Sequence, residues 1–215
     1  MTDQQKVWDA LAKVWKGYRQ KPFRDVERLL SILLPMKKGK ILELGCGNCR
    51  NLLPFAKQGF QCYGIDFSKE MLKFAREFMK KNKFKVKLKQ ARAEKLPFKN
   101  NSFDYILCIA LLHHLDKEEQ IKALNEIKRV IKPEAKAIIT VWNKLNPKFW
   151  KFLLKKEAFV PWKINEITYK RYYYFFGYWE LKKLLKKFGF KILYSSSPFA
   201  RNIAFIIKKR IKENV

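Results

Sequence analysis

The stretch Ile41-Leu42-Glu43-Leu44-Gly45-Cys46-Gly47-Asn48 predicts a buried strand that leads directly into a glycine turn. A second apolar run follows and ends at Gly64-Ile65-Asp66. Glycines after one strand and an acid at the end of the next, with a helix between them, are typical of a nucleoside site. The glycines allow the backbone to approach a ligand closely, and the Asp66 carboxylate can accept hydrogen bonds from two ribose hydroxyls.

The glycine turn differs from that of a dinucleotide site. It reads Gly45-Cys46-Gly47-Asn48-Cys49-Arg50, so the third glycine of the G-x-G-x-x-G pattern is absent. That glycine permits close packing of helix and strand beside a bound pyrophosphate. Its absence favours a nucleoside that carries no phosphate.

Strand and helix patterns alternate along residues 40–142. Strands are predicted near residues 40–44, 61–65, 85–89, 104–109 and 136–142, and helices near 50–58, 68–81 and 117–131. The alternation predicts an α/β fold in which helices cover both faces of a mostly parallel sheet with right-handed crossovers. A ligand is then expected at the carboxyl edge of that sheet.

Three further segments surround this core of residues 39–142 in what we expect to be one domain over residues 1–215. Helices predicted at residues 4–20 and near 24–34 form an N-terminal lid within residues 1–38. Residues 143–177, rich in Phe, Trp, Tyr and Lys, are interpreted as an insertion that determines substrate choice. Within residues 178–215, a helix near 178–188 and strands near 190–196 and 202–208 are predicted to complete the sheet as an antiparallel hairpin.

The charge of the chain points to an anionic partner. The net charge is +29, from 48 basic and 19 acidic residues. Counterion release rewards many phosphate contacts, so RNA is the favoured partner. Because 38 of the basic residues are Lys, a genome rich in Lys codons or a thermophilic surface is the alternative explanation.

The cysteines and the hydropathy of the chain indicate the compartment in which the protein is expected. The four cysteines, at positions 46, 49, 62 and 108, form no spaced framework, so we predict buried thiols in a reducing compartment and no metal site. The sequence shows no apolar run near 18 residues and begins with a polar segment. We therefore expect a soluble, cytoplasmic protein without membrane contact.

Four ordered motifs carry a resemblance to the Rossmann-like, class I methyltransferases that use S-adenosylmethionine (SAM). They are Glu43-Leu44-Gly45-Cys46-Gly47, Gly64-Ile65-Asp66-Phe67-Ser68, Glu94-Lys95-Leu96-Pro97-Phe98 and Ser102-Phe103-Asp104-Tyr105-Ile106. The resemblance implies a seven-stranded sheet with SAM across the tips of its first strands. The implied cofactor-binding residues are Glu43, Gly45, Cys46, Gly47, Asp66, Phe67, Ala93, Glu94 and Ile109. Arg92 stands where this family usually has an acid beside the adenine.

A narrower resemblance covers most of the chain. Four stretches are similar to those of tRNA methyltransferases that esterify wobble carboxymethyluridine. They are Ile109-Ala110-Leu111-Leu112-His113-His114, Thr140-Val141-Trp142, Arg171-Tyr172-Tyr173-Tyr174-Phe175-Phe176 with Glu180-Leu181, and Arg19-x-Lys21-Pro22. Tyr174 replaces a histidine of that group, and Cys49-Arg50 replaces a Gly-Lys pair. The resemblance implies a tRNA anticodon loop as substrate and a small zinc-binding activator protein as a partner.

The acceptor site implied by this resemblance contains cations and hydrogen-bond donors. A carboxylate is already anionic at neutral pH, so it can attack a sulfonium methyl group without a general base. Arg19, Arg171, Tyr172 and Tyr173 are expected to position that carboxylate, and His113 to contact the uracil edge. Aromatic residues among lysines in the insertion suit the unstacked bases of a single-stranded loop.

Two other functions stay open from the sequence. The same core serves methyltransferases of small molecules, which would have an apolar pocket and no affinity for RNA. A basic RNA-binding module with a decayed cofactor site is the other alternative. The presence of Glu43, Gly45, Gly47 and Asp66 speaks against decay.

Overall fold

A seven-stranded sheet organises the computed structural model, which describes residues 3–18, 20–23 and 38–210. Its strands are β1 (Lys40–Leu44), β2 (Gln61–Asp66), β3 (Lys87–Gln90), β4 (Phe103–Ile109), β5 (Ile131–Trp142), β8 (Phe190–Ser195) and β9 (Asn202–Lys209). A separate two-stranded hairpin consists of β6 (Glu157–Ile164) and β7 (Ile167–Tyr174). The predicted helix near residues 24–34 and Arg19 lie outside the described residues.

The order of strands confirms the predicted α/β methyltransferase fold. The sheet runs β3-β2-β1-β4-β5-β9-β8, and β9 is antiparallel to both of its neighbours whereas the other pairs are parallel. The chain moves outward from β1 in one direction through β2 and β3, and then returns to the other side with β4. This reversal opens a crevice at the carboxyl ends of β1 and β4, where open α/β sheets bind ligands.

Helices cover both faces of the sheet, as the sequence predicted. They are α1 (Gln4–Tyr18), α2 (Leu53–Lys57), α3 (Lys69–Lys81), α4 (Lys117–Val130) and α5 (Tyr178–Lys187). Alternate residues of β1 separate the two cores: Leu42 and Leu44 pack in the cluster that contains α4 and α5, and Ile41 packs with α2 and α3. Each core therefore fixes the register of the central strands.

The helices that follow β2 and β4 begin at side-chain caps close to the carboxyl edge. The Ser68 hydroxyl accepts a hydrogen bond from the Met71 amide at 3.1 Å at the start of α3. Asp116 and Glu119 form a reciprocal capping box at the start of α4. These caps fix where each loop at the carboxyl edge ends.

The structure differs from the sequence predictions in three elements. The helix predicted at 50–58 is α2, which covers only Leu53–Lys57, because Pro54 lacks an amide hydrogen and fits only the first turn. The strand predicted at 136–142 begins earlier, at Ile131, with a register shift opposite Phe103 and Tyr105. The insertion contains the β6–β7 hairpin, which the sequence analysis did not predict.

Within residues 3–18, 20–23 and 38–210, none of the helices combines the length and apolar character that crossing a bilayer requires.

Candidate active site

An open cleft lies at the carboxyl edge of the sheet, where the topology places a ligand site. It contains about 1210 Å³ of unoccupied space, part of which is open to solvent. The glycine turn lies at its centre, the end of β2 borders one half, and the ends of β4 and β5 border the other half. Residues of α1 and Phe23 complete the wall.

The glycine turn after β1 allows a ligand to approach the backbone. Gly45 and Gly47 have φ angles of +62° and +51°, a region that disfavours residues with a Cβ atom. A Cβ atom on Gly45 would also lie 2.9 Å from Cδ1 of Leu111. The Cys46 amide donates to the Ile65 carbonyl at 2.9 Å, so the turn is attached to the end of β2.

Asp66 lies at the end of β2 and faces the cleft. Its carboxylate accepts hydrogen bonds from the amides of Gly47 and Ser68, both at 2.9 Å. Burial raises the pKa of Asp66 to about 6, against the opposing effect of these two hydrogen bonds. Asp66 is therefore mostly ionised at neutral pH, with a carboxylate that can accept further hydrogen bonds from a ribose.

Glu43 lies beneath the turn rather than in the lining of the cleft. Its Oε1 atom accepts a hydrogen bond from Nδ2 of Asn51 at 2.7 Å, and its Oε2 atom is buried without a partner among the described residues. Burial raises the pKa of Glu43 to about 8, so the carboxyl group is mostly protonated at neutral pH. The unsatisfied oxygen is available to a polar group of a ligand.

Asn51, which the sequence analysis did not select, connects Glu43 to the N-terminal segment. Its Oδ1 atom accepts a hydrogen bond from the Phe23 amide at 2.9 Å. Asn51 and Phe23 both line the cleft. The buried side chain of Asn51 therefore connects Glu43, beneath the glycine turn, with Phe23 in the wall of the cleft.

The half of the cleft beside β2 and β3 has a charged rim. Phe67, Ala93 and Glu94 line it, as the family resemblance implied. The Arg92 guanidinium lies 5.6 Å from the centroid of the Phe67 ring and pairs with Glu94 at 2.9 Å and Glu119 at 2.7 Å. Arg92 stands where the family usually has an acid, and here Glu94 and Glu119 bring carboxylates to the same rim.

A strained turn begins the other half of the cleft, directly after Ile109 at the end of β4. Ala110 has a φ angle of +53°, and its amide donates to the carbonyl and hydroxyl oxygens of Thr140 at 3.0 and 3.1 Å. A short 3-10 helix, Leu112–His114, then places both histidines of the chain at the cleft. Ile109 and Ala110 also contribute to the lining.

His113 is fixed between aromatic rings. It stacks on Trp142 and Tyr173, with ring centroids 5.3 and 5.4 Å away. The Trp142 amide donates to Nδ1 at 3.4 Å, which assigns the proton of the neutral ring to Nε2. The Nε2 atom is buried without a partner among the described residues, so it offers one hydrogen-bond donor.

Both histidines are weak bases in this environment. Burial, with the nearby charge of Arg171, lowers the pKa of His113 well below its usual value. Burial also lowers the pKa of His114 to about 3. The Nδ1 atom of His114 lies 3.1 Å from the Tyr172 carbonyl, and the Trp8 ring meets its edge at 4.7 Å. Neither imidazole is suited to accept a proton at neutral pH.

The three predicted residues Arg171, Tyr172 and Tyr173 follow one another in β7, but their side chains lie in different surroundings. Tyr173 lines the cleft, and its hydroxyl accepts a hydrogen bond from Nη1 of Arg171 at 2.8 Å. Arg171 is buried behind Tyr173 and does not line the cleft itself. The Tyr172 hydroxyl donates to Glu157, since neighbouring residues of a strand face opposite sides. Arg19 lies outside the described residues.

Helix α1 forms the wall opposite the sheet and adds two residues that the sequence analysis did not select. Gln4 and Trp8 line the cleft. The Gln4 side chain donates to the Lys170 carbonyl at 3.2 Å and accepts from the Tyr172 amide at 2.9 Å. The helical spacing of the apolar residues Trp8, Leu11 and Ala12 is the sequence signal for Trp8, whereas nothing in the sequence indicates the contacts of Gln4.

The residues of the cleft fit SAM on structural grounds. The turn contains Gly45 and Gly47 with positive φ angles and lines the cleft, Glu43 has an unsatisfied buried oxygen beneath it, and Asp66 presents a carboxylate. These groups suit an amino-acid moiety and a ribose, joined across the tips of β1 and β2.

Comparisons with known proteins identify the family of the domain. The methyltransferase domain family matches residues 42–139. The uncharacterized protein MJ1252 of Methanocaldococcus jannaschii is 34% identical in an alignment that covers 95% of this chain and 84% of that protein. A putative methyltransferase of Encephalitozoon cuniculi is 30% identical, over 71% of this chain and 70% of its own length. The ubiquinone biosynthesis O-methyltransferase of Rickettsia canadensis is 28% identical over 64% of this chain and 57% of its own length.

A solved structure shares the fold. It is a SAM-dependent methyltransferase from Methanosarcina mazei with a TM-score of 0.71 and 21% identity, and the match covers 89% of this chain and all of that one. The fold is shared with a SAM-dependent methyltransferase, and the cleft at the carboxyl edge of the Rossmann-like sheet has residues that fit SAM. The chain belongs to the class I SAM-dependent methyltransferases.

Proposed function

We propose that this protein transfers the methyl group of SAM to the carboxymethyl side chain of a wobble uridine in tRNA and forms its methyl ester. The bond formed joins a carboxylate oxygen to the methyl carbon, and the bond broken is the one between that carbon and sulfur. No proton changes place, because the acceptor is an anion and the leaving group a neutral thioether.

The observation that carries the proposal is the absence of a competent base in the half of the cleft beside β4. Among the described residues, the polar and aromatic side chains of that half are Gln4, Trp8, His113, His114, Trp142 and Tyr173. The carboxylates that line the cleft are Asp66, which accepts from the amides of Gly47 and Ser68, and Glu94 and Glu119, which both pair with Arg92. The low pKa values of both histidines remove them as general bases at neutral pH. Such a site favours an acceptor that is already ionised.

The residues of this half supply recognition of a planar ring. When bound, SAM supplies an electrophilic methyl group. The Nε2 hydrogen of His113 would donate to a carbonyl oxygen of the uracil, and the rings of Trp142 and Tyr173 fix its direction. Arg171 acts through the Tyr173 hydroxyl, which it orients at 2.8 Å. Arg19 stays in the proposal as an acceptor-positioning group on the sequence resemblance, whereas the Tyr172 hydroxyl, which donates to Glu157 on the other side of β7, does not.

Charge supports tRNA as the substrate. The net charge of +29 suits a polyanion, and a cytoplasmic location would give access to tRNA. A small zinc-binding activator protein belongs to the same proposal, because the group of enzymes that the sequence resembles includes members that rely on one.

The experiment that tests the proposal measures transfer of labelled methyl from SAM to bulk tRNA. The labelled tRNA is then treated with mild alkali. Release of the label as methanol would establish a methyl ester. Label that resists alkali would indicate that tRNA is the substrate but that the methyl group is not on a carboxylate. Absence of label, with and without an added activator protein, would refute the proposal.

Methylation of a small molecule is the second candidate function. It is favoured by the similarity to the Rickettsia canadensis enzyme, which is named for ubiquinone biosynthesis, and by the aromatic lining around His113. Transfer of label to an extract of small molecules, with none to tRNA, would establish this alternative.

A further inference from the structure

Three loops meet at one buried residue beside the cleft. Asn143 follows β5, and its Nδ2 atom donates to the carbonyls of Pro198 and Ala200, both at 2.8 Å. Its backbone amide donates to the Arg201 carbonyl at 3.2 Å. The amide of Lys144 donates to the Phe176 carbonyl at 2.9 Å. The loop after β5, the start of α5 and the loop between β8 and β9 therefore lie side by side.

These loops expose large apolar side chains, which we call the aromatic surface: Leu145, Trp150, Trp179 and Phe199. Trp150, Trp179 and Phe199 are 66%, 67% and 82% exposed. Trp150 lies in a 3-10 helix, Pro147–Phe152, that Asn146 caps, and the Asn146 side chain also donates to the Arg201 carbonyl at 3.3 Å. Exposed apolar side chains grouped in this way mark an interaction site.

The surroundings of the aromatic surface are basic. Residues 143–156 include five lysines and no acidic residue. The Lys182 ammonium lies 5.0 Å from the centroid of the Trp179 ring. Glu180, next to Trp179, pairs with Lys156 at 2.6 Å, which offsets its charge. Aromatic rings among cations complement a polyanion with exposed bases better than they complement an apolar protein partner.

The aromatic surface is connected to the wall of the cleft through neighbouring residues and one buried ring. Trp142 lines the cleft and directly precedes Asn143. Its ring lies 5.1 Å from that of Phe149, which belongs to the same 3-10 helix as Trp150. A strand that stacks on Trp150 would therefore lead toward the wall that holds His113.

We propose that the aromatic surface binds the single-stranded RNA that flanks the methylated nucleotide, by stacking bases on Trp150, Trp179 and Phe199. The proposal rests on the proposed function, since it takes RNA as the substrate. Lys148, Lys151 and Arg201 contact phosphates beside the stacked bases. Base stacking is tolerant of sequence, so this surface would contribute affinity and His113 would contribute selection of the base.

The test measures binding of the SAM-loaded protein to a fluorescent single-stranded RNA of mixed sequence and to the same sequence as a duplex. Each of Trp150→Ala, Trp179→Ala and Phe199→Ala should weaken binding of the single strand by between about 5-fold and about 100-fold. Binding of the duplex should change less, since its bases are already stacked. The slope of affinity against salt should stay the same in these variants, because no charge is lost.

Ile121→Ala is the matched control, because Ile121 is an exposed aliphatic residue of α4 outside these loops. It should bind RNA as the unmodified protein does, and all four variants should keep their SAM affinity. Unchanged binding of the single strand in the three aromatic variants would overturn the proposal, as would preferential binding of anionic vesicles or of an acidic protein at this surface. Intact RNA binding through these rings without transfer of methyl to tRNA would reject the proposed function alone.

Discussion

At the scale of single residues, Asp66 has two roles in the same carboxylate. It holds the glycine turn through the Gly47 amide, and it faces the cleft at the end of β2. Asp66→Asn keeps the size of the side chain and removes the charge. We expect it to weaken SAM binding by about 10-fold or more, since hydrogen bonds to charged groups contribute about 1.5–3 kcal/mol. Calorimetric titration with SAM measures this, with RNA affinity as the control that should stay unchanged.

Glu43 makes the stability of the free protein depend on pH. Its pKa is about 8 in the folded protein and near 4.5 in the unfolded chain, so the folded state retains a proton that the unfolded state has lost. The stability that the protonated Glu43 carboxyl contributes is therefore fully present below pH 4.5 and is lost as the pH rises through about 8. We expect a loss of about 1 kcal/mol between pH 7 and pH 8.

Glu43→Gln tests this prediction because it removes the titration and can still accept from Asn51. Urea unfolding at pH 7 and pH 8 should show a smaller difference in the free energy of unfolding for the variant. Asp66 and the histidines contribute little between pH 7 and pH 8, because Asp66, with a pKa of about 6, is mostly ionised in this range and the histidines are mostly neutral in both the folded and the unfolded state. An identical loss in both proteins would contradict the assignment.

His113 should act as a donor and not as a base. His113→Phe retains a ring between Trp142 and Tyr173 and removes the Nε2 hydrogen. We expect kcat/KM for the acceptor to fall by about 5- to 10-fold, the effect of one hydrogen bond, while SAM affinity is unchanged. With SAM saturating, the dependence of kcat/KM on pH between pH 6 and pH 8 should be the same for the unmodified enzyme and for His113→Phe, because the pKa values of both histidines lie far below that range. A rise with an inflection near pH 6.5 in the unmodified enzyme alone would indicate a histidine base.

At the scale of elements, helix α1 is attached to the rest of the molecule at both sides of the cleft. Gln4 bonds the backbone of β7, and Asp9 accepts from the Ser68 hydroxyl at 2.5 Å at the start of α3. The helix thus connects the end of β2, through Ser68, with the insertion. A single side-chain change on α1 should therefore loosen the helix without disturbing the sheet.

Asp9→Ala tests that connection. Loss of the part-buried hydrogen bond from the Ser68 hydroxyl, about 1 kcal/mol, should speed amide hydrogen exchange in residues 4–18 by about 5-fold, with exchange in β1 and β4 unchanged. Lys13→Ala, at an exposed position of the same helix, is the control. Equal exchange in the two variants would show that the Asp9 contact does not hold the helix.

The hairpin of β6 and β7 shows where prediction from sequence reached its limit. The tips of β1 and β2 could be predicted because glycines and an acid mark them locally. The side on which Arg171, Tyr172 and Tyr173 lie could not, since every residue of that run is large and the alternation of a strand is hidden. Contacts such as those between Arg92 and Glu119 or between Gln4 and Tyr172 join segments distant in sequence, and no local pattern indicates them.

At the scale of the whole molecule, charge should dominate affinity for tRNA but not for SAM. Neutralising about six phosphates would lower tRNA affinity about 10³-fold between 50 and 200 mM salt. SAM carries little net charge, so its affinity should change far less over that range. Filter binding of tRNA and calorimetric titration of SAM at several salt concentrations measure the two slopes. Equal, shallow slopes would favour the alternative that the lysines reflect genome composition or a thermophilic surface.

The position of β9 between β5 and β8 also governs the order in which the fold can form during synthesis. β8 pairs only with β9 in the sheet, and Ile203, Phe205 and Ile207 of β9 are buried. While a ribosome has made β8 but not residues 202–209, the nascent chain has an unpaired strand and an uncovered edge on β5. The interval before β9 emerges is therefore when this chain is most exposed to aggregation and to capture by chaperones.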